Sequence, residues 1–456
     1  MRVFFRPLRV FVKRIELDRA VFFGLLSKMW SFIAGPVTAI LIATYFTTSS
    51  QGYYYTFATI LALQIFIELG LGTVTQQFAS HEWSRLQLDN GRISGNEDAL
   101  SRLISVAQVS FRWFLYGSFF ASLGLIIAGY FFFSSSLHNT DEIWLAPWIS
   151  LCVLAGGNIF LTPFWSLLEG CNQVKTLYAF KVFQTALMNI AIWGSIIFGA
   201  GLWSTVIGSC ISILCAFVFI RIKYWIFFKQ LIMSHSTGAK IKWKSDMLPM
   251  QWKIAVSWVF GYLSFSFFTP VLFKFQGPVV AGKFGMTWTV LGAISGVANS
   301  WTAPKIPQFA ILIAKKNYEE LNKAFWKLVK LIFVISFLLS LTTWVLVVVL
   351  PHLNIPIATR LSERLLSPTP FAILLMAQLL VILSGPFAAY MRAHKEEPLV
   401  ILSIVGGVLI GASTFFFGKY YSVLEMAIGY LSINAVIIPL IIFTWHRFRR
   451  AILGNV

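Results

Sequence analysis

The sequence alternates along its whole length between long apolar runs and short polar connections. Twelve of these runs are long enough for an α-helix to cross a membrane, which takes about twenty residues for a hydrocarbon core of roughly 30 Å. We therefore predict an all-α polytopic membrane protein with twelve transmembrane helices. The predicted spans are 20–46, 53–77, 104–133, 144–169, 177–199, 202–224, 252–273, 280–303, 326–350, 369–391, 398–418 and 421–445.

The composition supports this interpretation. Hydrophobic residues make up 58% of the chain and charged residues only 12%, whereas an ordinary soluble domain carries about 25% charged residues. The basic beginning of the chain has no small-residue cleavage site, and a full-length span follows it. We therefore expect segment 1–19 to lie on the cytoplasmic membrane surface as an amphipathic segment.

Basic residues are distributed unequally between the two sides of the predicted spans. Of the 36 Lys and Arg residues, 29 lie in or beside segments that share a side with the N-terminus, and two lie inside spans. This asymmetry predicts that both termini are cytoplasmic. The net charge of +19 then indicates contact with anionic lipids, not with nucleic acid. Five basic residues remain on the outer side: Lys274, Lys283, Arg360, Arg364 and Lys419.

The two halves of the chain have the pattern of a repeat. Gly52 and Gly282 begin similar segments at an offset of 230 residues, and a Gln-Phe-Ala sequence at 77–79 recurs at 308–310. A duplicated unit of six spans places both copies in the same orientation, with a cleft between them. The predicted segments are 1–19, a first bundle at 20–224, a linker at 225–251, a second bundle at 252–445 and a basic cytoplasmic tail at 446–456.

Three ionisable residues, Lys28, Glu68 and Arg112, lie well inside predicted spans, away from the span ends, where each costs roughly 2.5–3.5 kcal/mol to insert. Lys28, Glu68 and Arg112 are each about nine residues from a predicted cytoplasmic boundary, in three consecutive spans. One interpretation is an internal network that only stabilises the first bundle. The other is a cationic patch that faces the cleft and binds substrate, with Glu68 as charge partner or coupling group. The second half has no matching charges, which favours the functional interpretation.

Two further groups of charges lie at the ends of spans. Glu169 and Lys181 are close to the cytoplasmic ends of spans four and five, and the sequence favours a rim salt bridge over a coupling role. Lys274 and Lys283 flank a short outer turn. They could meet an anionic substrate at the exit, or reach toward lipid phosphate.

Gly35 and Pro36 in span one and Pro270 in span seven are candidate hinges, because proline removes a helix hydrogen bond. Static curvature is the alternative. The chain has no P-loop sequence, and neither its histidines nor its cysteines have the spacing of metal ligands. The sequence therefore predicts no cofactor and no metal.

Three segments carry a resemblance to known proteins: QGYYYTF at 51–57, FIELGLGTVTQQFASHEW at 66–83 and PFWSLLEGCNQV at 163–174. The chain resembles the oligosaccharide flippases of the polysaccharide transporter family. That family belongs to the multidrug/oligosaccharidyl-lipid/polysaccharide (MOP) exporter superfamily, which also includes multidrug extruders.

The resemblance implies a bacterial inner-membrane flippase that is not an enzyme. It would move undecaprenyl-pyrophosphate-linked oligosaccharide to the outer leaflet for O-antigen, capsule or exopolysaccharide assembly, alongside polysaccharide polymerase and chain-length proteins. Lys28 and Arg112 match the basic cavity residues of that family. Span one has no Asp or Glu, unlike many extruders. An ion-coupled exporter of small molecules is the alternative. A polysaccharide polymerase or ligase is disfavoured, because the longest predicted outer loop, 351–368, is short.

Overall fold

The computed structural model describes residues 19–135, 142–234, 238, 240–302, 305–394 and 398–454. The predicted surface segment, apart from its last residue, and the side chain of Lys28 lie outside the described residues. The predicted tail at 446–456 continues the last helix as far as Gly454.

The described part of the first half is helical except for one hairpin. Its helices are α1 (Arg19–Tyr45), α2 (Thr48–Leu61), α3 (Ile65–Glu68), α4 (Leu71–Trp83), α5 (Glu97–Ser134), α6 (Leu145–Gly170), α7 (Val174–Ile197), α8 (Trp203–Lys223) and α9 (Trp225–Met233). A 3₁₀ turn at Ala62–Gln64 joins α2 to α3.

The described part of the second half is also helical. A π-helical turn at Trp243–Met247 leads into its first helix, and a 3₁₀ turn lies at Leu350–His352. Its helices are α10 (Leu248–Phe265), α11 (Phe268–Gln276), α12 (Pro278–Thr302), α13 (Lys305–Ala314), α14 (Tyr318–Val349), α15 (Pro356–Arg364), α16 (Pro368–Ala393), α17 (Val400–Tyr420) and α18 (Val423–Gly454).

These helices confirm the predicted polytopic fold. Within the described residues, eight helices are long and apolar enough to span a membrane, and two bent pairs supply two further spans. The remaining two predicted spans are α1, with 27 residues, and α12, with 25 residues. The orientation of the termini stays a prediction.

Side-chain caps set where several spans begin. The Asn96 side chain accepts a hydrogen bond from the backbone N–H of Ala99 at 2.9 Å, and Glu97 and Asp98 occupy the first turn of α5. Acidic side chains there interact favourably with the positive end of the helix dipole. Span three therefore starts seven residues before the predicted 104. Asn317 caps α14 in the same way.

One connection contains a β-hairpin that the all-helical prediction did not include. Strands β1 (Leu86–Asp89) and β2 (Arg92–Gly95) pair antiparallel around Asn90 and Gly91. Both turn residues have positive φ, 49° and 82°, which is the geometry that an Asn-Gly pair adopts in a tight hairpin. The Asn90-Gly91 dipeptide was the signal for this hairpin in the sequence.

The two halves meet where the sequence repeat begins. Helices α2 and α12 cross so closely that a Cβ on Gly52 would lie 2.0 Å from the carbonyl oxygen of Pro278, and one on Gly282 would lie 2.9 Å from the nitrogen of Gly52. Equivalent residues of two copies touch each other only near the symmetry axis that relates the copies. The contact between Gly52 and Gly282 is therefore the arrangement expected of a duplicated unit.

Span two is broken where the sequence predicts a continuous helix. Helices α2–α3 and α4 meet at 49°, and Leu69 and Gly70 between them have φ values of 44° and 72°. Gly70 packs closely against the second half, since a Cβ on Gly70 would lie 2.4 Å from a methyl carbon of Ile254. The indole N–H of Trp113 donates to the carbonyl of Ile67, 3.1 Å away, which satisfies one group freed by the break.

The predicted hinges lie in two different situations. Pro270 is in the first turn of α11, directly after a 42° bend between α10 and α11. The bend precedes the proline because its ring clashes with the carbonyl four residues earlier. Gly35 and Pro36 lie inside α1, which continues through them as one helix. Motion at these positions stays a prediction.

Candidate functional site

The two central helices are buried near the outer end of the molecule and open toward the other end. In α12, most of the first ten residues are buried, whereas after Leu291 only one face is buried. A Cβ added at Gly292 or at Gly296 would meet no neighbouring atom within 4 Å. In span two, eight residues of α2 are buried and none of α3. The halves therefore enclose a cleft that opens at the predicted cytoplasmic end.

Helix α1 borders this opening. Its outer residues Ile42 and Ala43 are buried, at 0% and 2% exposure, whereas Ile33 is 57% exposed. A Cβ on Gly35 would meet no atom within 4 Å. On one flank of the inner end the two halves remain in contact, because Gly70 of the first half lies against Ile254 of the second half. The opening thus lies on the side of α1 and α12.

A hydrogen-bond network closes the outer end. The amide of Gln51 donates to the carbonyls of Gly282, at 2.8 Å, and of Arg364, at 3.1 Å. The guanidinium of Arg364 in turn donates to Gln51 and to the carbonyl of Phe46, beyond the end of α1. Burial lowers the pKa of Arg364 below its ordinary value, but a guanidinium stays charged. Arg364 therefore ties the outer loop of the second half to the first half.

Replacing Arg364 with alanine is expected to open the outer end more often. A hydrogen bond to a charged group contributes about 1.5–3 kcal/mol, so the outward-open population should rise roughly 10- to 100-fold. Labelling of an introduced Ala281→Cys by a membrane-impermeant thiol reagent measures this population, because Ala281 is fully buried.

Arg360→Ala is the matched control for Arg364→Ala. Arg360 makes a single exposed hydrogen bond, 3.5 Å long, to the carbonyl of Thr44, and its loss should change labelling by less than about twofold. Equal labelling in the two variants would contradict the role of Arg364 in outer closure.

A pocket of about 240 Å³ lies within the second half, between α10, α12 and α16. Trp288 and Phe265 supply aromatic surface, while Ser295, Asn299 and Gln378 supply hydroxyl and amide groups. No charged residue lines the pocket among those the structure describes. Its residues are Phe265, Trp288, Leu291, Gly292, Ser295, Asn299, Gln378, Val381 and Ile382.

Gln378 has one unused hydrogen-bonding group. Its amide N–H₂ donates to the hydroxyl of Ser295, but its carbonyl oxygen is buried without a hydrogen-bond partner among the described residues. A buried acceptor without a partner costs about 1–3 kcal/mol. A hydroxyl or N–H group of a bound molecule would recover that energy. Sequence reasoning missed this residue, because Gln378 is one polar residue within an apolar run.

Glu68 lies at the break of span two, half-buried at the last residue of α3. Arg112 does not pair with it: among the described residues, neither side chain makes an ion pair. The side chain of Lys28 lies outside the described residues. Glu68 and Arg112 are thus not joined in the part of the chain that the structure describes, and a role of Lys28, Glu68 and Arg112 in substrate binding stays a prediction.

Arg112 lies on the lipid-facing side of α5. It belongs to an exposed stripe that includes Tyr116 and Phe119 and continues to Phe131. The stripe runs almost to the outer end of α5, where the cleft between the halves is closed. A stripe of this length therefore cannot line the cleft and faces the bilayer. Ser234, after the end of α9, accepts a hydrogen bond from Gln108, about one helical turn, or 5.4 Å, before Arg112. The depth of Arg112 in the membrane stays a prediction.

The other predicted charges have local partners or none. Lys181 donates to Glu169 at 2.8 Å, which confirms the predicted ion pair. Lys274 donates to the carbonyl of Ser135 at 2.6 Å, at the outer end of α5. Lys283 makes no ion pair with the described residues. In the part of the chain that the structure describes, no three His, Cys, Asp or Glu side chains come together as metal ligands would.

The arrangement of helices is similar to that of solved membrane transporters. A multidrug resistance MATE family transporter of the MOP superfamily in an inward-facing conformation matches with a TM-score of 0.69 and 17% identity, over 93% of this chain and 96% of that chain. The outward-facing conformation of such a transporter matches with a TM-score of 0.54 and 17% identity, over 96% and 97% of the two chains.

A third similar structure is a MOP superfamily transporter from Pyrococcus furiosus, in which the polarity of the binding pocket is reversed. Its TM-score is 0.52 at 16% identity, over 96% of this chain and 94% of that chain. The sequence matches no family model and no curated protein. The chain is thus a multi-pass membrane protein with the two-bundle fold of MOP superfamily transporters.

Proposed function

We propose that this protein is an alternating-access transporter that moves its substrate through the cleft between the two halves. The observation that carries the proposal is the asymmetry of α12, buried at its outer end and open after Leu291. A transporter of this type exposes its site to one side at a time. The TM-score is 0.69 with the inward-facing transporter and 0.54 with the outward-facing one, which supports an inward-open state for this chain.

The first candidate substrate is a small organic molecule exported by ion coupling. The similarity to multidrug transporters favours it, and Glu68 is the candidate coupling group. The test is export from proteoliposomes under an imposed pH or sodium gradient, with a fluorescent organic cation as probe. Gradient-dependent movement is the expected result. Movement that is independent of both gradients would contradict ion coupling.

The second candidate is the lipid-linked oligosaccharide, moved from the cytoplasmic to the outer leaflet of a bacterial inner membrane. The pocket around Gln378 favours it, because amide and hydroxyl groups beside an aromatic ring suit a molecule with many hydroxyl groups. Such a pocket offers no carboxylate to a cation. Flipping of a lipid-linked oligosaccharide in proteoliposomes, read by access of a lectin or glycosidase, separates the two candidates.

Replacing Gln378 with leucine is expected to reduce oligosaccharide flipping roughly 5- to 150-fold, because a buried hydroxyl of the substrate left without its hydrogen-bond partner costs about 1–3 kcal/mol. Stability should change little, since Ser295 still donates to the carbonyl of Leu291 at 3.1 Å. Initial flipping rates and a thermal melt provide the measurements.

Gln184→Leu is the matched control for Gln378→Leu. Gln184 also donates to a serine hydroxyl, that of Ser212 at 3.1 Å, but lies in the first half, outside the pocket. This control should retain flipping within about twofold. If Gln378→Leu flips oligosaccharide at the wild-type rate and exports the organic cation poorly, the first candidate is favoured.

A further inference from the structure

A second cavity, of about 820 Å³, lies beside α5 of the first half, and its described lining residues include none from α1, α2 or α12, the helices at the cleft. Helix α5 forms one wall, and the segment after α9 forms the other. Trp113, the neighbour of Arg112, contacts Trp243 and Ile67 and so points elsewhere. The lining residues are Ser105, Gln108, Val109, Phe111, Arg112, Leu115, Phe160, Ile232, Met233, Ser234, Lys240 and Ile241.

Three hydrogen bonds fix the wall opposite α5. The amide of Gln108 donates to the carbonyl of Ser234 at 2.9 Å. The backbone N–H of Gly238 donates to Ser101 at 2.9 Å, and that of Ile241 donates to Ser105 at 3.0 Å. Positions 101, 105 and 108 share one face of a helix. Ser234, Gly238 and Ile241 are therefore held along α5, and the cavity is a built feature of the fold.

Two cationic side chains face this cavity, Arg112 and Lys240. Both are exposed, and neither makes an ion pair within the described part of the chain. The nearby carboxylates are engaged: Glu82 pairs with Arg85 and Arg102. The carboxylate of Asp246 accepts from Ser245 and from a backbone N–H. Asp98 lies beside Gly238, where a Cβ would be 2.9 Å from its carboxylate oxygen. The residues that line the cavity thus include two cations and no carboxylate among those that the structure describes.

The surface beyond Arg112 is apolar and faces lipid. Its side chains recur at helical spacing and continue along α5 toward the outer end. The stripe comprises Leu115, Tyr116, Phe119, Phe120, Leu123, Ile127, Tyr130 and Phe131. Arg112 itself lies about one turn along α5 from Gln108, which binds Ser234. A ligand here would meet cations at one end and apolar surface along its length.

We propose that this cavity binds the phosphate of an anionic phospholipid from the predicted cytoplasmic leaflet. Arg112 donates to the phosphate oxygens in a planar fork, and Lys240 adds a second charge from the facing segment. The acyl chains lie along the exposed stripe of α5. The proposal does not depend on the transported substrate, because the cavity lies outside the cleft.

The test compares lipid binding by the purified full-length protein in phosphatidylcholine nanodiscs. Phosphatidylglycerol is added as the probe, and retained lipids are counted by native mass spectrometry. The double variant Arg112→Gln/Lys240→Gln should bind phosphatidylglycerol about 10-fold or more weakly. Arg112→Lys in an otherwise native chain should keep a large part of the binding. The single variant Lys240→Gln changes a residue on an exposed segment, so it gives a second measurement of phosphatidylglycerol binding without disturbing the span.

The matched control is Lys315→Gln/Lys316→Gln, which removes the same charge after α13 without touching the cavity. It should bind phosphatidylglycerol as the wild type does. Equal binding by the cavity variants and the wild type would overturn the proposal. Inorganic phosphate is the second probe: if it displaces the lipid at millimolar concentration, the site is one for free phosphate, and the lipid assignment is wrong.

Discussion

Replacing Gly52 with leucine is expected to reduce transport to less than about a tenth of the wild-type rate, because the outer end could no longer close. Even a Cβ atom at this position would lie 2.0 Å from the carbonyl oxygen of Pro278. That neighbour is backbone, so relief requires α2 and α12 to separate. Overpacking of a tight contact costs typically about 1–3 kcal/mol, and here the cost falls only on the outer-closed state.

Outer closure can be measured separately from transport. The reporter substitution Ala281→Cys lies in the crossing of α2 and α12, at a position that is fully buried when the outer end is closed. In a background where Cys210 and Cys215 are replaced by serine, an impermeant thiol reagent should label the reporter slowly. Gly52→Leu should raise this labelling rate at least about 10-fold.

Gly194→Leu is the matched control for Gly52→Leu, since a Cβ at Gly194 meets no atom within 4 Å. It should change neither transport nor labelling by more than about twofold. If Gly52→Leu transports normally and the Ala281→Cys reporter stays protected, the crossing is not the outer gate. A folded but inactive Gly52→Leu protein with unchanged labelling would lead to the same conclusion.

The spans could be predicted because their cause is local. A run of about twenty apolar residues is stable in a bilayer only as a helix, so the predicted and observed spans agree closely, as at 280–303 and Pro278–Thr302. The repeat could be predicted as well, since Gly52 and Gly282 are spaced as equivalents and meet in the fold.

The break in span two could not be predicted in the same way. Leu69 adopts a φ of 44°, a conformation that costs a leucine about 1–2 kcal/mol and that no local pattern favours. Tertiary contacts impose it, including the close approach of Gly70 to Ile254. The hairpin differs, because Asn90-Gly91 was a readable turn signal between alternating residues.

The surroundings of Arg112 and the pocket around Gln378 depend on residues far apart in sequence. Ser234 and Ile241 bind α5 from more than a hundred residues away. Gln378 acquires its significance from Ser295 and Trp288 on another helix. A single sequence supplies no such pairing, so the neutral pocket around Gln378 could not be predicted, and substrate binding by the cationic residues stays a prediction.

Replacing Glu68 with glutamine is expected to reduce gradient-driven export roughly 10-fold or more. A carboxylate binds and releases H⁺ or Na⁺, whereas an amide of nearly the same shape does neither. Glu68 is half-buried beside Leu69, at the point where span two bends by 49° between the two halves. A change in its charge would therefore fall at the bend, next to the contact of Gly70 with Ile254 of the second half, and an ionisable group in a span is normally functional.

Glu169→Gln is the matched control for this carboxylate, because Glu169 is held in an ion pair with Lys181 at 2.8 Å. Such a partly exposed pair contributes about 0–1 kcal/mol, so export should stay within about twofold of the wild type. Glu68→Asp should retain a measurable part of the activity. Export that still follows the imposed gradient in Glu68→Gln would place coupling elsewhere. Loss of gradient dependence with substrate exchange intact would assign coupling to Glu68, because exchange requires the moving halves but no net ion transfer.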